Sequence, residues 1–150
     1  MPNMNDLVSV VMQGDPISVS TDATVRELAM LMEQENVGSV IVTEKNRVEG
    51  IITDRDLVTK VVAFAKDPER VKVSEIMTRN PITMNRYNSC ADALEKMADF
   101  GLRRLPVVAE NKELVGVISI SDLSSALRSC DEHIEDILRI VNEDVRSAKV

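Results

Sequence analysis

The heptapeptide GIITDRD, residues 50–56, returns as GVISISD at residues 116–122. Each starts with Gly, runs through two apolar residues to a hydroxyl residue, and places an Asp three positions further on. Working outward from this pair, Met12, Pro16, Ile17 and Ser18 fall on Met77, Pro81, Ile82 and Thr83 at a spacing of 65. One inserted residue then takes the spacing to 66. Leu28 falls on Leu94, Leu31 on Met97, and Ile41 and Val42 on Val107 and Val108. Gly50, Thr53, Asp56 and Leu57 fall on Gly116, Ser119, Asp122 and Leu123. The chain is a tandem duplication, and two copies of this length are expected to bury their apolar faces on each other rather than to stack into an open solenoid.

Each copy reads as β-α-β-β-α, which gives an α/β (α+β) fold of two such repeats. PISV and PITM are short extended pieces after proline, and TVRELAMLMEQE places Val25, Leu28, Ala29 and Met32 at helical spacing. SVIVT and VEGII are β-branched runs joined by the polar turn EKNR, a hairpin pattern. The helix RDLVTKVVAFA follows and is expected to stop before Pro68. The second copy repeats this with CADALEKMADF, LPVVA, LVGVIS and DLSSALRS. The expected division is residues 1–67, 68–130 and a C-terminal helix over 131–150, whose Ile134, Ile137, Leu138, Val141 and Val145 share one face. That face suits packing on its own domain or a homodimer surface.

Composition limits the function classes. A chain of 150 residues is expected to form one domain and to bury roughly two-thirds of its unfolded surface. Its apolar content of 44% includes one Tyr, two Phe and no Trp, so the core must be aliphatic. A net charge of -7 repels phosphate backbones and anionic lipid, which disfavours nucleic acid as a partner. No apolar run is long enough to span a bilayer and the N-terminus lacks a leader pattern, so a cytoplasmic protein is expected. Cys90 and Cys130 have neither CxxC spacing nor a histidine cluster, and read as reduced thiols. Met12, Met30, Met32, Met77, Met84 and Met97 read as adaptable core filling, and the sole histidine, His133, as solvated. No Ser/His/Asp or Cys/His arrangement and no P-loop is present, so no catalytic residue, cofactor or metal ligand is assigned.

Two roles fit the heptapeptide. Thr53 and Ser119 stand where a strand meets a helix, each with an Asp three residues on, close to a capping box that would contribute around 1 kcal/mol. The same junction also offers backbone N–H groups to an anion, a hydroxyl to a phosphate oxygen and a carboxylate to a ribose diol. The leading glycine would let a flat base come close to the strand.

At this point the sequence resembles the cystathionine β-synthase (CBS) domain family, whose members occur in tandem pairs called Bateman modules. The resemblance spans about residues 8–130 and rests on MQGDPISV and MTRNPITM, on LRRLPVV, and on GIITDRDL and GVISISDL. The stretch from Gly50 to Pro81 is similar to stand-alone bacterial and archaeal CBS pairs. The resemblance implies pseudo-twofold symmetry and two sites for adenosine compounds such as AMP, ADP, ATP or S-adenosylmethionine. Carried onto this chain, one site combines Thr53 and Asp56 with Ile82 and Thr83, and its mate combines Ser119 and Asp122 with Ile17 and Ser18. The two Asp would hold ribose hydroxyls, Thr53 and Ser119 would contact phosphate or ribose, and the opening strands would read the adenine edge.

Arg103 and Arg104 in LRRLPVV would meet phosphate, as would Arg55. Their matches in the first copy, Val37 and Gly38, lack charge, so one productive site or two unequal ones are expected. The expected protein is therefore a sensor without chemistry of its own that homodimerises and acts on an effector protein. The competing reading is an association module in which both heptapeptides are only helix caps.

Overall fold

The computed structural model describes residues 3–127 and Ile140. In chain order the elements are α1 (Val8–Val11), β1 (Ser18–Ser20), α2 (Val25–Glu35), β2 (Ser39–Glu44), β3 (Arg47–Thr53) and α3 (Asp54–Leu57), which runs on into a π-helical turn, Val58–Val62. There follow α4 (Val73–Ile76), β4 (Thr78–Arg79), β5 (Met84–Asn85), α5 (Cys90–Phe100), β6 (Arg104–Val108), a 3-10 turn at Glu110–Lys112, β7 (Leu114–Ser119) and α6 (Ile120–Leu127). Both copies thus carry the expected β-α-β-β-α order, and the α/β class holds. The short α1, α4 and β4, which no periodicity announces, are additions to it.

The described residues form two compact units, and these are offset from the sequence repeats. The first comprises Pro16–Pro81 with Asn111–Leu114; the second comprises residues 3–15, 82–110 and 115–127 with Ile140. The offset has a backbone cause. In the first unit β4 pairs antiparallel with β3, matching Gly50 to Arg79 and Ile51 to Thr78. In the second, Gln13 pairs with Val117, each N–H donating to the other's carbonyl at 2.9 and 3.0 Å. The segment ahead of each opening proline therefore supplies edge partners to the third strand of the other copy. Satisfying those strand-edge groups outweighs proximity in sequence.

Inside each unit a parallel pair brackets the first long helix, as a crossover connection requires. β1 runs parallel to β2, and β5 to β6. The crossover helices are capped alike. Thr24 accepts from the Glu27 N–H and Ser89 from the Asp92 N–H, each in a complete capping box. Asn36 and Gly101 close them in the left-handed region.

The apolar stripes then bury Val25, Leu28 and Met32 in one unit and Cys90, Ala93, Leu94, Met97 and Ala98 in the other. β-branched and Leu residues complete each core: Val40, Val42 and Ile52 in the first, Leu105, Val107 and Ile118 in the second. Met32, Met77, Met84 and Met97 are core residues, and Met12 is partly buried, as expected. Met30 departs from that reading at 60% exposure, because it lies off the stripe defined by Leu28 and Met32.

The register also relocates the insertion. Val19 pairs with Val42, and Met84 with Val107, so the spacing is still 65 throughout the parallel strands. Leu28 therefore matches Ala93 rather than Leu94, and Ile41 and Val42 match Pro106 and Val107. The extra residue sits in the hairpin. The first hairpin turns at Lys45 and Asn46, both with positive φ, whereas the second detours through the 3-10 turn. A loop absorbs a residue without disturbing the pleat, while a shift inside a strand would turn every side chain over.

The expected helix over 131–150 lies outside the described residues except for Ile140, which is 1% exposed in the core of the second unit. His133 and Cys130 lie outside them as well. Among the described residues no helix is long and apolar enough to cross a membrane.

Candidate functional site: two matching strand-to-helix junctions

Each heptapeptide makes the junction its spacing implies. In the first unit Thr53 ends β3 with extended backbone and caps α3. Its Oγ1 accepts from the Asp56 N–H at 3.3 Å, and Asp56 Oδ2 accepts from the Thr53 N–H at 2.8 Å. In the second unit Ser119 ends β7; its Oγ accepts from the Asp122 N–H at 3.2 Å, and Asp122 Oδ2 accepts from the Ser119 N–H at 2.9 Å. Both boxes are partly buried. Each junction is tied to the strand beside it, with the Asp54 N–H donating to the Gly38 carbonyl at 2.9 Å and the Ile120 N–H to the Arg103 carbonyl at 2.8 Å.

The glycines have a different explanation from the one the sequence suggested. A Cβ on Gly50 would stand 2.6 Å from Met77 Sδ and 2.8 Å from the Thr78 carbonyl oxygen. One on Gly116 would stand 2.5 Å from Met12 Sδ and 2.8 Å from the Gln13 carbonyl oxygen. The space above each glycine is filled by the Met-led segment preceding an opening proline, and not kept for a base.

Two residues that sequence reasoning missed also reach the junctions. Gln13 Nε2 donates to Asp122 Oδ1 at 3.1 Å across 109 residues of chain. At the other junction Lys60 Nζ lies 3.1 Å from Asp56 Oδ1 and donates to the Ile76 carbonyl at 3.0 Å. An i,i+4 carboxylate and lysine was the available signal for the second contact. Nothing local announces the first.

Of the expected residues, Thr53, Asp56, Arg55, Ile17 and Ser18 belong to the first unit; Ser119, Asp122, Arg103, Arg104, Ile82 and Thr83 belong to the second. Ile17 and Ile82 are half-buried against the core of their own unit. Ser18 is exposed in β1, and the Thr83 carbonyl accepts from Lys96 Nζ at 2.8 Å. Arg55, Arg103 and Arg104 are exposed. With the insertion relocated, Arg103 and Arg104 match Gly38 and Ser39 rather than Val37 and Gly38, and the charge asymmetry persists. Among the described residues no group of three or more His, Cys, Asp or Glu is placed to hold a metal ion.

The buried thiol is Cys90, at the start of α5. Burial pushes its pKa up from the ordinary 9.0, and the charge of Asp6 adds to the rise.

Comparison with known proteins agrees with this geometry. The CBS domain family matches the chain twice, over residues 7–63 and 73–129. The chain is 40% identical over 117 residues to the uncharacterized protein MK0525 of Methanopyrus kandleri, covering 77% of this chain and 60% of that protein. It is 38% identical over 107 residues to the CBS domain-containing protein YhcV of Bacillus subtilis, covering 71% of this chain and 75% of that one. Among solved structures it resembles the CBS domain pair of protein MJ0100, crystallised with 5′-methylthioadenosine and S-adenosyl-L-methionine. There the TM-score is 0.69 at 26% identity, over 83% of this chain and 97% of that one. With two matched repeats, the duplicated capping junctions and the strand order of each unit in agreement, the chain belongs to the CBS domain family, as a tandem CBS pair.

Proposed function

We propose that this CBS pair is a regulatory sensor for an adenosine compound, AMP, ADP, ATP or S-adenosylmethionine, and that it acts without chemistry of its own. The observation carrying the proposal is the junction built twice, with a hydroxyl, an Asp carboxylate and helix N–H groups in the same arrangement in each unit. Asp56 and Asp122 take ribose hydroxyls, Thr53 and Ser119 take phosphate or ribose, and Arg103, Arg104 and Arg55 meet phosphate. The backbones at Ile17–Ser18 and Ile82–Thr83 read the adenine edge. The relative crystallised with two adenosine-derived ligands supports this ligand class.

Occupancy changes the protein only as far as the ligand binds one arrangement better than another. The output is a change in conformation or in association, with a second copy and with an effector protein in the cytoplasm. Exposed Val58, Val62 and Phe64 are an apolar surface available for association.

The capping boxes themselves support the second reading, an association module in which the heptapeptides only cap helices. Thermal unfolding with AMP, ADP, ATP and S-adenosylmethionine, each near millimolar, separates the two. A ligand at about one hundred times its Kd adds about 2.7 kcal/mol, a Tm rise of roughly 5–10 °C at this size. A rise with one compound that is lost in Asp56→Ala or Asp122→Ala supports the sensor. No rise with any compound, together with a lower Tm in both variants, supports the caps.

A further inference from the structure

Each unit builds the same small corner from a short helix and the turn ahead of its long helix. In the first unit Lys72 bridges to Thr24, and the Val73 and Ser74 N–H groups donate to the Ala23 and Thr21 carbonyls at 2.8 and 3.3 Å. In the second Leu7 bridges to Ser89, and the Val8 and Ser9 N–H groups donate to the Asn88 and Arg86 carbonyls at 2.7 and 3.2 Å. The backbone thus matches Lys72 to Leu7, Glu75 to Val10 and Asp22 to Tyr87, each at the spacing of 65.

The side chains at these three positions are of opposite kinds. The first unit keeps them polar: Lys72 Nζ donates to the Asp22 carbonyl at 3.1 Å, and Glu75 Oε2 accepts from the Lys72 N–H at 2.6 Å. The second makes them apolar and leaves them in water, with Leu7 41%, Val10 69% and Tyr87 58% exposed. Since the first unit forms this corner with polar residues, folding does not require apolar ones there. The Val10 N–H donates to the Leu7 carbonyl at 3.0 Å, which sets the two a helical turn apart, and Tyr87 lies between the two residues whose carbonyls hold α1. Arg86 stands over the Tyr87 ring, 4.8 Å from its centroid, and restrains it. An ordered aromatic ring with apolar neighbours in water is what a docking surface requires.

Charge identifies what fits. Asp6 precedes Leu7, Asp92 lies in the first turn of α5, and Glu110 pairs with Arg86 Nη2 at 3.3 Å, so three carboxylates and one guanidinium edge the corner. A second copy in a twofold contact would bring this negative edge against itself, in a chain that already carries -7. We propose that the corner formed by Leu7, Val10 and Tyr87 docks an apolar segment of a partner protein flanked by Lys or Arg. The apolar side chains of that segment meet the corner, and its cations meet Asp6 and Asp92. This goes beyond the sensor reading, because it requires no nucleotide. The surface is also separate from Val58, Val62 and Phe64, which belong to the first unit.

The test uses the full chain without nucleotide, at physiological salt. The probes are a fluorescein-labelled peptide of leucine and lysine, with leucine at helical spacing, and its leucine and glutamate counterpart, read by anisotropy. The variant Leu7→Lys/Val10→Glu/Tyr87→Asp installs the residues that the first unit carries at these positions, and Asp6→Asn/Asp92→Asn removes two of the carboxylates. Circular dichroism through a thermal melt checks each fold, and Tyr87→Asp alone replaces the triple variant should that unfold. The triple variant makes the chain more negative on balance, so general attraction of a basic peptide to an acidic protein would rise in it.

The wild type is expected to bind the lysine peptide at least about tenfold more tightly than the glutamate one, the triple variant to lose about tenfold, and the carboxylate variant several-fold. The chain has one tyrosine and no tryptophan, so its intrinsic emission reports Tyr87 alone, and the unlabelled lysine peptide should shield it from acrylamide. Undiminished binding by the triple variant overturns the docking site, as does acrylamide quenching that the bound peptide leaves unchanged. Preference for the glutamate peptide, or no binding of either, overturns the basic partner. A wild type that sediments as a dimer beside a monomeric triple variant gives the surface to a second copy and overturns the proposal as well.

Discussion

Met77 covers Gly50 so closely that a single added methyl would stand 2.6 Å from its sulfur and 2.8 Å from the next residue's carbonyl oxygen. Met12 covers Gly116 in the same way. These contacts hold the segment preceding each opening proline onto the third strand of its unit. They make the heptapeptide glycines packing residues. Gly50→Ala and Gly116→Ala should each cost about 1–3 kcal/mol, the usual range for overpacking against backbone. Urea denaturation would read this as a lower midpoint with an unchanged slope.

The hydroxyl caps should cost less than the glycines. Thr24→Ala and Ser89→Ala remove one side of a complete capping box from α2 and α5, and each is expected to lose about 1 kcal/mol. Far-ultraviolet circular dichroism through a thermal melt would show this. Thr24→Ser and Ser89→Thr, which keep the acceptor, should stay close to the wild type.

Core truncations separate the two units. Leu28 and Leu94 are both fully buried, one in each unit. Leu28→Ala and Leu94→Ala are each expected to lose about 2–5 kcal/mol, the transfer term plus the cavity left behind. Hydrogen exchange should place the extra openings of Leu28→Ala within the Pro16–Pro81 unit and those of Leu94→Ala in the other.

Cys90 gives a pH dependence with a defined sign. Its pKa in the folded chain is raised, first by burial and then by Asp6, so the folded state keeps its proton where the unfolded state has lost it. The thiol's stabilising contribution is therefore complete below the ordinary 9.0 and falls as pH rises from there toward the folded value. The slope cannot exceed about 1.4 kcal/mol per pH unit. Cys90→Ala should flatten the fall in stability above pH 9 relative to the wild type. Thiol reagents should reach Cys90 only as fast as the second unit opens.

Most of the secondary structure was legible from local pattern. Thr24 and Ser89 announce the start of each crossover helix, and the alternation around EKNR announces the hairpin, because capping and pleat obey rules that act over a few residues. The family could be read from PISV, PITM and the two heptapeptides, and the capping boxes at Thr53 and Ser119 were legible from the three-residue spacing to Asp56 and Asp122. The position of the insertion was misread, since matching Leu28 to Leu94 seemed as good as matching it to Ala93. Ala93 and Leu94 are both buried, and only the strand register tells the alternatives apart.

What depended on tertiary structure was which distant segment completes each unit. Residues before Pro16 join the second copy and residues before Pro81 stay with the first, because β7 and β3 each need a hydrogen-bonding partner along an edge, and no local pattern names it. The same long-range pairing fills the space over Gly50 and Gly116 and brings Gln13 to Asp122. Local sequence sets helices, turns and caps through interactions between near neighbours. The contact of Gln13 with Asp122 joins residues 109 positions apart, so it exists only once the chain has folded.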